Sequence, residues 1–435
     1  MTSGQIARAY AFAFACAGAL GCGAPEQVAS GVPLPALPPP TLFREHTPAR
    51  FAFSAGDLSE PFATPSARID PVIRPNIHDA AVFVPPGFSV ETFVTGLAGP
   101  RRAIALSNGD LIVSESFGLR ISLLRDTTGD GRPDRRTTLL QGRSRPYGIA
   151  LHGDHLYMGF EGHILRARYR EGALQLEGKL ETLAALPSGG HWTRDIAIAP
   201  DGSKLFVSVG SRSNFNRKGN EPLHRAVILE MNLDGSAARV FASGLRNPVS
   251  LLFHPATGAL YTVVSERDGL GDDLPPDFLT AVRDGGFYGW PEAYIGPHAE
   301  PRLPAPDPAR VAAALNPDVL LQAHSSPMGL VLYDGDLFPK AYRGDLFVAF
   351  HGSYNRTRRT GYKVVRVPMD EAGRPVRVNG VAGYEDFATG WSEDPASIEV
   401  WGRPAGVAQY IDGSLLVLDD AAGSIWRIGY RAPDR

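Results

Sequence analysis

Cationic side chains recur at the entrance of six short apolar segments in this 435-residue chain. Each segment continues through a tight turn into a second alternating run, as in "RDIAIAPDGSKLFVSVG". The cationic residues at the six entrances are Arg101 or Arg102, Arg145, Arg194, Arg246, His324 and Arg403. Guanidinium groups that face one another repel. The pattern therefore favours an anion among them, above all one with several carboxylates that accept paired hydrogen bonds.

The stretch "SGGHWTRDIAIAPDG" adds a candidate base to this set, because His191 stands three residues before Arg194. An imidazole beside an anion site could take a proton from a bound substrate. Two alternatives stay open. His191 could be a structural histidine at the start of a strand, and any single arginine could face solvent or pair with an acid such as Asp195.

The elements that must position these residues are short strands joined by tight turns. The turns carry Asn-Gly, Asp-Gly or Gly-Asp, which tolerate the positive φ of hairpins. A unit with room for about four strands that recurs six times predicts an all-β fold, a six-bladed β-propeller. The innermost strands should begin near the cationic residues and bring them to one axial mouth. An array of β-sandwiches is the alternative architecture.

The N-terminus is typical of an export signal. Arg8 and the apolar stretch "AYAFAFACAGALG" precede "ALGC", which resembles a lipobox that ends at Cys22. We therefore expect a signal peptide over residues 1–22, a Pro/Ala-rich tether over 23–80 and the propeller over 81–435. The expected location is the periplasm or the outer membrane as a lipoprotein, with plain secretion as the alternative. The mass of the N-terminus would distinguish the two.

Composition narrows the classes of partner. The formal net charge is −3, so no global basic field favours nucleic acid. No apolar run after residue 25 reaches the length of about 20 residues that spans a bilayer, so membrane contact is expected only through the lipid anchor. The two cysteines, Cys16 and Cys22, lie in the signal region and exclude a thiolate metal site in the predicted propeller.

Five longer motifs carry a family resemblance. They are "GGHWTRDIAIAPDG", "SGLRNPVSLLFHP", "SERDGLGDDLPPDFLTAVRDGGFYGWPEAY", "HGSYNR" and "WGRPAGV". Together they resemble the soluble quinoprotein sugar dehydrogenases, more narrowly the sorbosone dehydrogenase-like branch of the glucose/sorbosone dehydrogenase family, over about residues 85–430. The resemblance implies a six-bladed propeller that binds pyrroloquinoline quinone (PQQ), a flat tricarboxylate, together with Ca²⁺ at the axial mouth.

The resemblance also implies roles for individual residues. His191 matches the general base that acts on the sugar hydroxyl, and Arg246 with Asn247 matches the pair that contacts the quinone carbonyls. Arg403 matches a cationic contact to a cofactor carboxylate. The remaining entrance residues expected to face the cofactor are Arg145, Arg194 and His324.

A calcium site is implied in the loop "SERDGLGDD". By resemblance, backbone carbonyls of this loop hold the ion, which puts Arg267, Asp268 and Gly269 at or near it. Asp272 and Asp273 could supply carboxylate oxygens, which calcium prefers. A solvated acidic turn is the alternative.

Three features depart from the family pattern. Arg145 stands where many relatives have glutamine, and Ser211 stands where the glucose-oxidising members have aspartate. "FHGSYNR" occupies the region in which those members carry a lysine near the quinone. These departures argue against glucose itself as the substrate.

The predicted function is oxidation of an aldose or a sugar aldehyde such as sorbosone by hydride transfer to PQQ. His191 would act as base and Arg246 would stabilise charge on the quinone, and an external acceptor would remove the electrons. Two other classes remain open. One is a non-catalytic propeller that binds a glycan or a protein, and the other is a calcium-dependent lactonase, whose axial acidic cluster a cationic mouth would oppose.

Overall fold

Six antiparallel sheets surround one axis in the computed structural model, which describes residues 31–38, 41–74, 80–142, 144–216 and 221–432. Each innermost strand contacts the innermost strands of both neighbouring sheets, and the sixth contacts the first. The described chain is therefore a closed six-bladed β-propeller, as the repeats predicted. The predicted signal peptide, with Cys16 and Cys22, lies outside the described residues.

The six blades follow one another in chain order, and each has its first strand at the axis. From the axis outward, blade 1 is Pro100–Ala105, Leu111–Glu115, Arg120–Arg125 and Arg135–Gln141; blade 2 is Pro146–His152, His155–Phe160, His163–Arg168 and Glu177–Ala185; blade 3 is Ile196–Ile198, Lys204–Val209, Val227–Asn232 and Arg239–Ser243. Blade 4 is Pro248–Phe253, Leu260–Val264, Asp277–Ala281 and Val319–Leu321; blade 5 is Pro327–Leu332, Leu346–Phe350, Lys363–Val367 and Val381–Ala388; blade 6 is Pro404–Gln409, Leu415–Asp419, Ser424–Tyr430 and Phe88–Val94.

Few other elements occur among the described residues. Short pairs of strands are Leu42–Glu45 with Ala81–Val84, Val72–Ile73 with Glu399–Val400, and Ala293–Tyr294 with His298–Ala299; Arg377–Val378 pairs with the outer strand of blade 5. The helices are one α-helix, Pro308–Ala313, and one 3₁₀ turn, Lys340–Tyr342. Neither helix is long and apolar enough to cross a membrane.

Five of the six innermost strands begin at a proline, and their pairing shifts by a bulge within the next three residues. Proline has no N–H to donate, so it fits the first position of a strand. The observed starts lie within three residues of the predicted ones. The residues just before each start, together with those that follow the second strand, form the loops at one end of the axis.

The N-terminal segment packs on the propeller over its described part. Val32–Pro33 joins the outer edge of blade 1, and Arg50–Ala52 pairs with the outer strand of blade 5. Val72–Ile73 lies parallel to Glu399–Val400, which precedes blade 6. Within the segment predicted as a tether, residues 31–38 and 41–74 thus pair with the rest of the chain through short strands.

Blade 6 closes the ring, because its outermost strand, Phe88–Val94, comes from the N-terminal side of the chain and pairs with Ser424–Tyr430 at its C-terminal end. The ring of Phe93 is fully buried in this strand and packs edge-on against Tyr410, with centroids 5.2 Å apart. The side chain of Ser89 in the same strand is exposed.

We expect Phe93→Ala to lower the free energy of unfolding by about 3–5 kcal/mol, because a buried aromatic ring is lost from the closing strand. Thermal and denaturant unfolding followed by circular dichroism measures the change. The matched control is Ser89→Ala, which should stay within about 0.5 kcal/mol of the parent protein. Equal stabilities of the two variants would contradict this account of the closure.

Candidate functional site

A cavity of about 180 Å³ lies at the end of the axis where the innermost strands begin. Its walls come from loops of blades 3, 4 and 5 that precede an innermost strand or follow a second strand. The lining residues are His191, Arg246, Asn247, Ser265, Glu266, Asp268, Asp277, His324, Ser326, Gly352, Tyr354 and Asn355. Five of the residues predicted from the sequence are among them: His191, Arg246, Asn247, Asp268 and His324.

His191 is held through one ring nitrogen. Its Nδ1 lies 3.0 Å from the carbonyl oxygen of Ser211 and 3.0 Å from the hydroxyl of the same residue. The hydroxyl of Ser211 donates to the carbonyl of Ser213 at 2.7 Å, so it is an acceptor toward the imidazole. We therefore assign the proton of the neutral imidazole to Nδ1, which leaves the Nε2 lone pair to accept a proton.

The surroundings of His191 disfavour its charged form. Burial, followed by the positive charge of Arg246, lowers its pKa from the ordinary 6.5 to about 3. The imidazole is therefore neutral at physiological pH and available as an acceptor, although a base with so low a pKa is weak. An anion beside Arg246 would offset the guanidinium charge and raise the basicity of His191.

Buried arginines behind the cavity wall fix the loop that carries His191. Arg194 has no exposed surface and donates to the carbonyl oxygens of His191 at 2.8 Å and Thr193 at 2.7 Å. Arg225 donates to the carbonyl of Ser188 at 2.5 Å. Arg194, predicted from the sequence to face a cofactor, thus lies outside the cavity lining and holds the backbone of the base.

Gly210 permits the close approach of His191 and Asn247. A Cβ at Gly210 would lie 2.6 Å from the Cβ of His191 and would also clash with the amide oxygen of Asn247. Any side chain at this position would separate His191 from Asn247, so glycine must follow the second strand of blade 3 for the cavity to form.

The guanidinium of Arg246 is held at the cavity by Asn214, a loop residue that the sequence pattern did not reveal. Its Nη2 donates to the side-chain oxygen of Asn214 at 2.7 Å, and its Nη1 donates to the carbonyl of Ser265 at 2.9 Å. The same oxygen of Asn214 accepts the backbone N–H of Asp268 at 2.9 Å. Asn214 therefore couples Arg246 to the predicted calcium loop, and its position between repeats gave no signal in the sequence.

Asp268 and His324 form an ion pair at the cavity wall. Nδ1 of His324 lies 3.4 Å from Asp268, and Nε2 lies 2.9 Å from the carbonyl of Gly271. Burial alone would lower the pKa of His324, but these two acceptors raise it. Burial would likewise raise the pKa of Asp268, but the hydrogen bond with His324 and the charge of Arg246 lower it. Asn355 donates to the same carboxylate.

Two further acids at the wall were missed by sequence reasoning. Asp277, at the start of a strand, accepts the backbone N–H groups of Glu266 at 2.8 Å and Ser326 at 2.7 Å, and burial raises its pKa to about 7. Glu266 is buried and accepts from Arg267 at 3.0 Å. The sequence signal that could have identified Glu266 is its position next to Arg267 in the predicted calcium loop "SERDG".

The remaining predicted calcium residues point away from the cavity. Arg267 is fully buried between Glu266 and Glu300, 3.0 Å from each. Asp272 accepts the backbone N–H of Thr357 at 3.0 Å, and Asp273 pairs with Arg356 at 2.6 Å. Gly269 lies against Arg302. Among the described residues, no three His, Cys, Asp or Glu side chains converge closely enough to hold a metal by themselves.

Oxygen atoms left without partners line the cavity instead. The buried side-chain oxygens Asn247 Oδ1, Ser265 Oγ and Glu266 Oε1 accept no hydrogen bond from the described part of the chain. A buried polar atom without a partner costs about 1–3 kcal/mol. Three such oxygens around one cavity indicate a site for a cation or for a hydroxyl-bearing ligand.

The other entrance arginines are neutralised at the axis or held by the backbone. Arg101 pairs with Asp420 at 2.5 Å and Arg102 pairs with Asp195 at 2.9 Å, so the pairing alternative is correct for these two. Arg403 donates to the carbonyls of His351 and Gly352, at 3.1 and 2.9 Å. Arg145 is partly exposed and stacks on Trp192 at 4.9 Å.

Comparison with known proteins gives one family and one fold. The sequence model described as Glucose / Sorbosone dehydrogenase matches residues 157–382. An uncharacterized protein of Borreliella burgdorferi is 28% identical over 361 residues, which cover 80% of this chain and 90% of that protein.

Two solved structures share the fold at low identity. The holo PQQ domain of pyranose dehydrogenase from Coprinopsis cinerea has a TM-score of 0.68 at 22% identity and covers 81% of this chain and 97% of its own. The calcium structure of a carbohydrate-active enzyme from Trichoderma reesei has a TM-score of 0.69 at 20% identity and covers 84% and 98%.

In the ligand-free protein we expect the imidazole of His191 to remain neutral as the pH falls from 8 to about 5, because burial and Arg246 lower its pKa. Proton–nitrogen NMR should show a fixed Nδ1–H tautomer through this range, and His191→Asn assigns the signal. Arg246→Met should move the midpoint upward. A midpoint near 6.5 in the parent protein would contradict the burial argument.

Proposed function

Because this chain belongs to the glucose/sorbosone dehydrogenase family, a family of sugar oxidoreductases, we propose that it oxidises an aldose or a sugar aldehyde such as sorbosone with PQQ as cofactor. One observation carries the proposal: a neutral histidine with an available Nε2 lies in the same axial cavity as Arg246. A base for a hydroxyl proton and a cation for developing negative charge are the two groups that such an oxidation requires of the protein.

The residues present fit the implied cofactor and metal. Arg246 is a cation of the cavity lining, suited to quinone oxygens and carboxylates, and His324 in the same lining stays in the proposal as a further cofactor contact. The unpaired oxygens of Asn247, Ser265 and Glu266 are hard donors of the kind that calcium takes. The carboxylate of Asp268 completes the proposed calcium wall. The carbonyl oxygen of Asp268 already accepts from Arg302 at 2.8 Å, and the carboxylates of Asp272 and Asp273 are engaged by the loop at 356–357.

The chain supplies position, charge and a proton acceptor. His191 Nε2 would accept the proton of the substrate hydroxyl while Ser211 keeps the Nδ1–H tautomer in place. Arg246 would hold negative charge at the cavity, and Asn214 and Ser265 fix the direction of its guanidinium. When bound, PQQ supplies the two-electron acceptor, from which an external acceptor removes the electrons.

Arg145 and Arg403 stay in the proposal as outer cationic contacts for the cofactor. Arg145 is the more exposed of the two; it stacks on Trp192 and forms an ion pair with Glu161 at 3.8 Å. Export through the N-terminal segment, with a lipid on Cys22, also remains a proposal. N-terminal mass spectrometry of the protein from its host tests that proposal independently of the enzymology.

The function is tested first by cofactor uptake. Purified protein titrated with PQQ in the presence of Ca²⁺ should show a saturable absorbance change with one equivalent bound, and chelation of calcium should reverse it. Arg246→Ala should weaken uptake by roughly 10- to 100-fold, because a hydrogen-bonded charge is lost. The matched control is Arg239→Ala, which removes an exposed arginine of blade 3 that pairs with Glu230 and Asp284. A parent protein that takes up no PQQ would return the choice to a binding propeller or a lactonase.

The base is tested by His191→Asn in the cofactor-loaded protein. This variant should bind PQQ as the parent does but turn over aldose or aldehyde substrates at least ~100-fold more slowly, since loss of a general base costs about 10²–10⁴-fold. Stopped-flow reduction of the bound cofactor measures the step. The control is His155→Asn, which changes a partly exposed histidine whose Nδ1 lies 2.7 Å from Asp154, and it should react normally. Normal turnover by the His191 variant would reject the assignment.

A further inference from the structure

Residues 62–74 form a strap that crosses two of the loops lining the candidate cavity. The first loop, residues 268–273, follows the second strand of blade 4 and carries Asp268. The second, residues 351–359, follows the second strand of blade 5 and carries Tyr354 and Asn355. The strap itself lies outside the blades.

The strap contacts the first loop at three consecutive residues. The N–H of Phe62 donates to the carbonyl of Leu270 at 2.7 Å, and the N–H of Asp272 donates to the hydroxyl of Thr64 at 2.8 Å. Between these bonds, Gly271 has a φ of 126° and a Cβ there would lie 2.8 Å from the Thr64 hydroxyl. A residue with a side chain at position 271 would therefore separate Thr64 from the loop.

Gly271, which contacts the strap, also bonds a residue of the cavity wall. The carbonyl of Gly271 accepts the Nε2–H of His324 at 2.9 Å, and the other nitrogen of His324 faces Asp268. A shift of the loop at Thr64 would move the acceptor that orients His324. The ion pair between Asp268 and His324 thus depends on Thr64, which is not part of the cavity lining.

The strap holds the second loop in a similar way. The N–H of Ile69 donates to the carbonyl of Tyr354 at 2.5 Å. The buried guanidinium of Arg359 donates to the carbonyls of Ile69 and Ser353, each at 3.1 Å. The two loops are also joined to each other by the bonds of Asp272 and Asp273 to residues 356 and 357.

We propose that the strap is a positioning element of the site, which fixes the two loops relative to each other and so holds Asp268 at the proposed calcium wall, with His324 oriented against it. Thr64 is its key residue and acts through Gly271 and Asp272 rather than on a ligand. The part of the proposal that concerns calcium rests on the proposed function, whereas the coupling of strap to loops does not.

The test compares Thr64→Val, which keeps the side-chain shape and removes the acceptor, with Thr64→Ser, which restores the hydroxyl. The control is Ser66→Ala, an exposed hydroxyl in the same strap. Hydrogen–deuterium exchange of the ligand-free protein should be roughly five- to tenfold faster in residues 268–273 for Thr64→Val, because one loop hydrogen bond is lost. Calorimetric titration with Ca²⁺ in the presence of PQQ should show affinity weakened by a similar factor. Thr64→Ser and Ser66→Ala should behave as the parent.

Unchanged exchange of the loop in Thr64→Val would overturn the proposal whether or not the protein binds calcium. Faster exchange with unchanged calcium affinity, in a parent protein that does bind the ion, would also overturn it, since the strap would then be structural only. If the parent binds neither calcium nor PQQ, the proposed function fails, and the exchange measurement alone decides the coupling.

Discussion

Buried guanidinium groups that donate to backbone carbonyls hold the loops at the axial mouth, and the candidate site depends on them. These loops lie beyond the strand ladders, so their carbonyl oxygens need other donors. Arg194 serves the loop of His191, Arg246 bonds the carbonyls of residues 214 and 265, and Arg359 and Arg403 bond the loop at 351–353. The planar fork of arginine presents five N–H donors in fixed directions and so reaches several carbonyls at once, whereas lysine has three donors on a single nitrogen.

The same arrangement sets the electrostatics of the cavity. Asp420 and Asp195 neutralise the arginines of blade 1, and Asp268 pairs with His324, so among the described residues of the cavity lining Arg246 is the cation without an acidic partner. This charge is close enough to His191 to help keep the imidazole neutral. The base and the cation are therefore coupled, and an anionic ligand would relieve the cation and strengthen the base in one event.

The strap, residues 62–74, also holds mouth loops through their backbone groups, although it lies outside the blades. A propeller leaves its mouth loops free to vary, because the blades are stable without them. Here a segment outside the blades restrains two of these loops through backbone hydrogen bonds and one buried arginine. Specificity at the mouth can thus depend on residues far from it in sequence, such as Thr64.

The sequence alone determined the number of blades and the approximate start of each innermost strand, because alternation, turn residues and cationic entrances repeat locally. It also indicated the family and five residues of the cavity. Only the tertiary structure decided which cations face the cavity. Arg194 lies three residues from His191 yet points behind the wall, and Asn214, Glu266 and Asp277 occupy no repeated position. The direction of a mouth side chain follows from long-range partners, such as Asp420 for Arg101 or residues 356–357 for Asp272 and Asp273, and no local pattern encodes those partners.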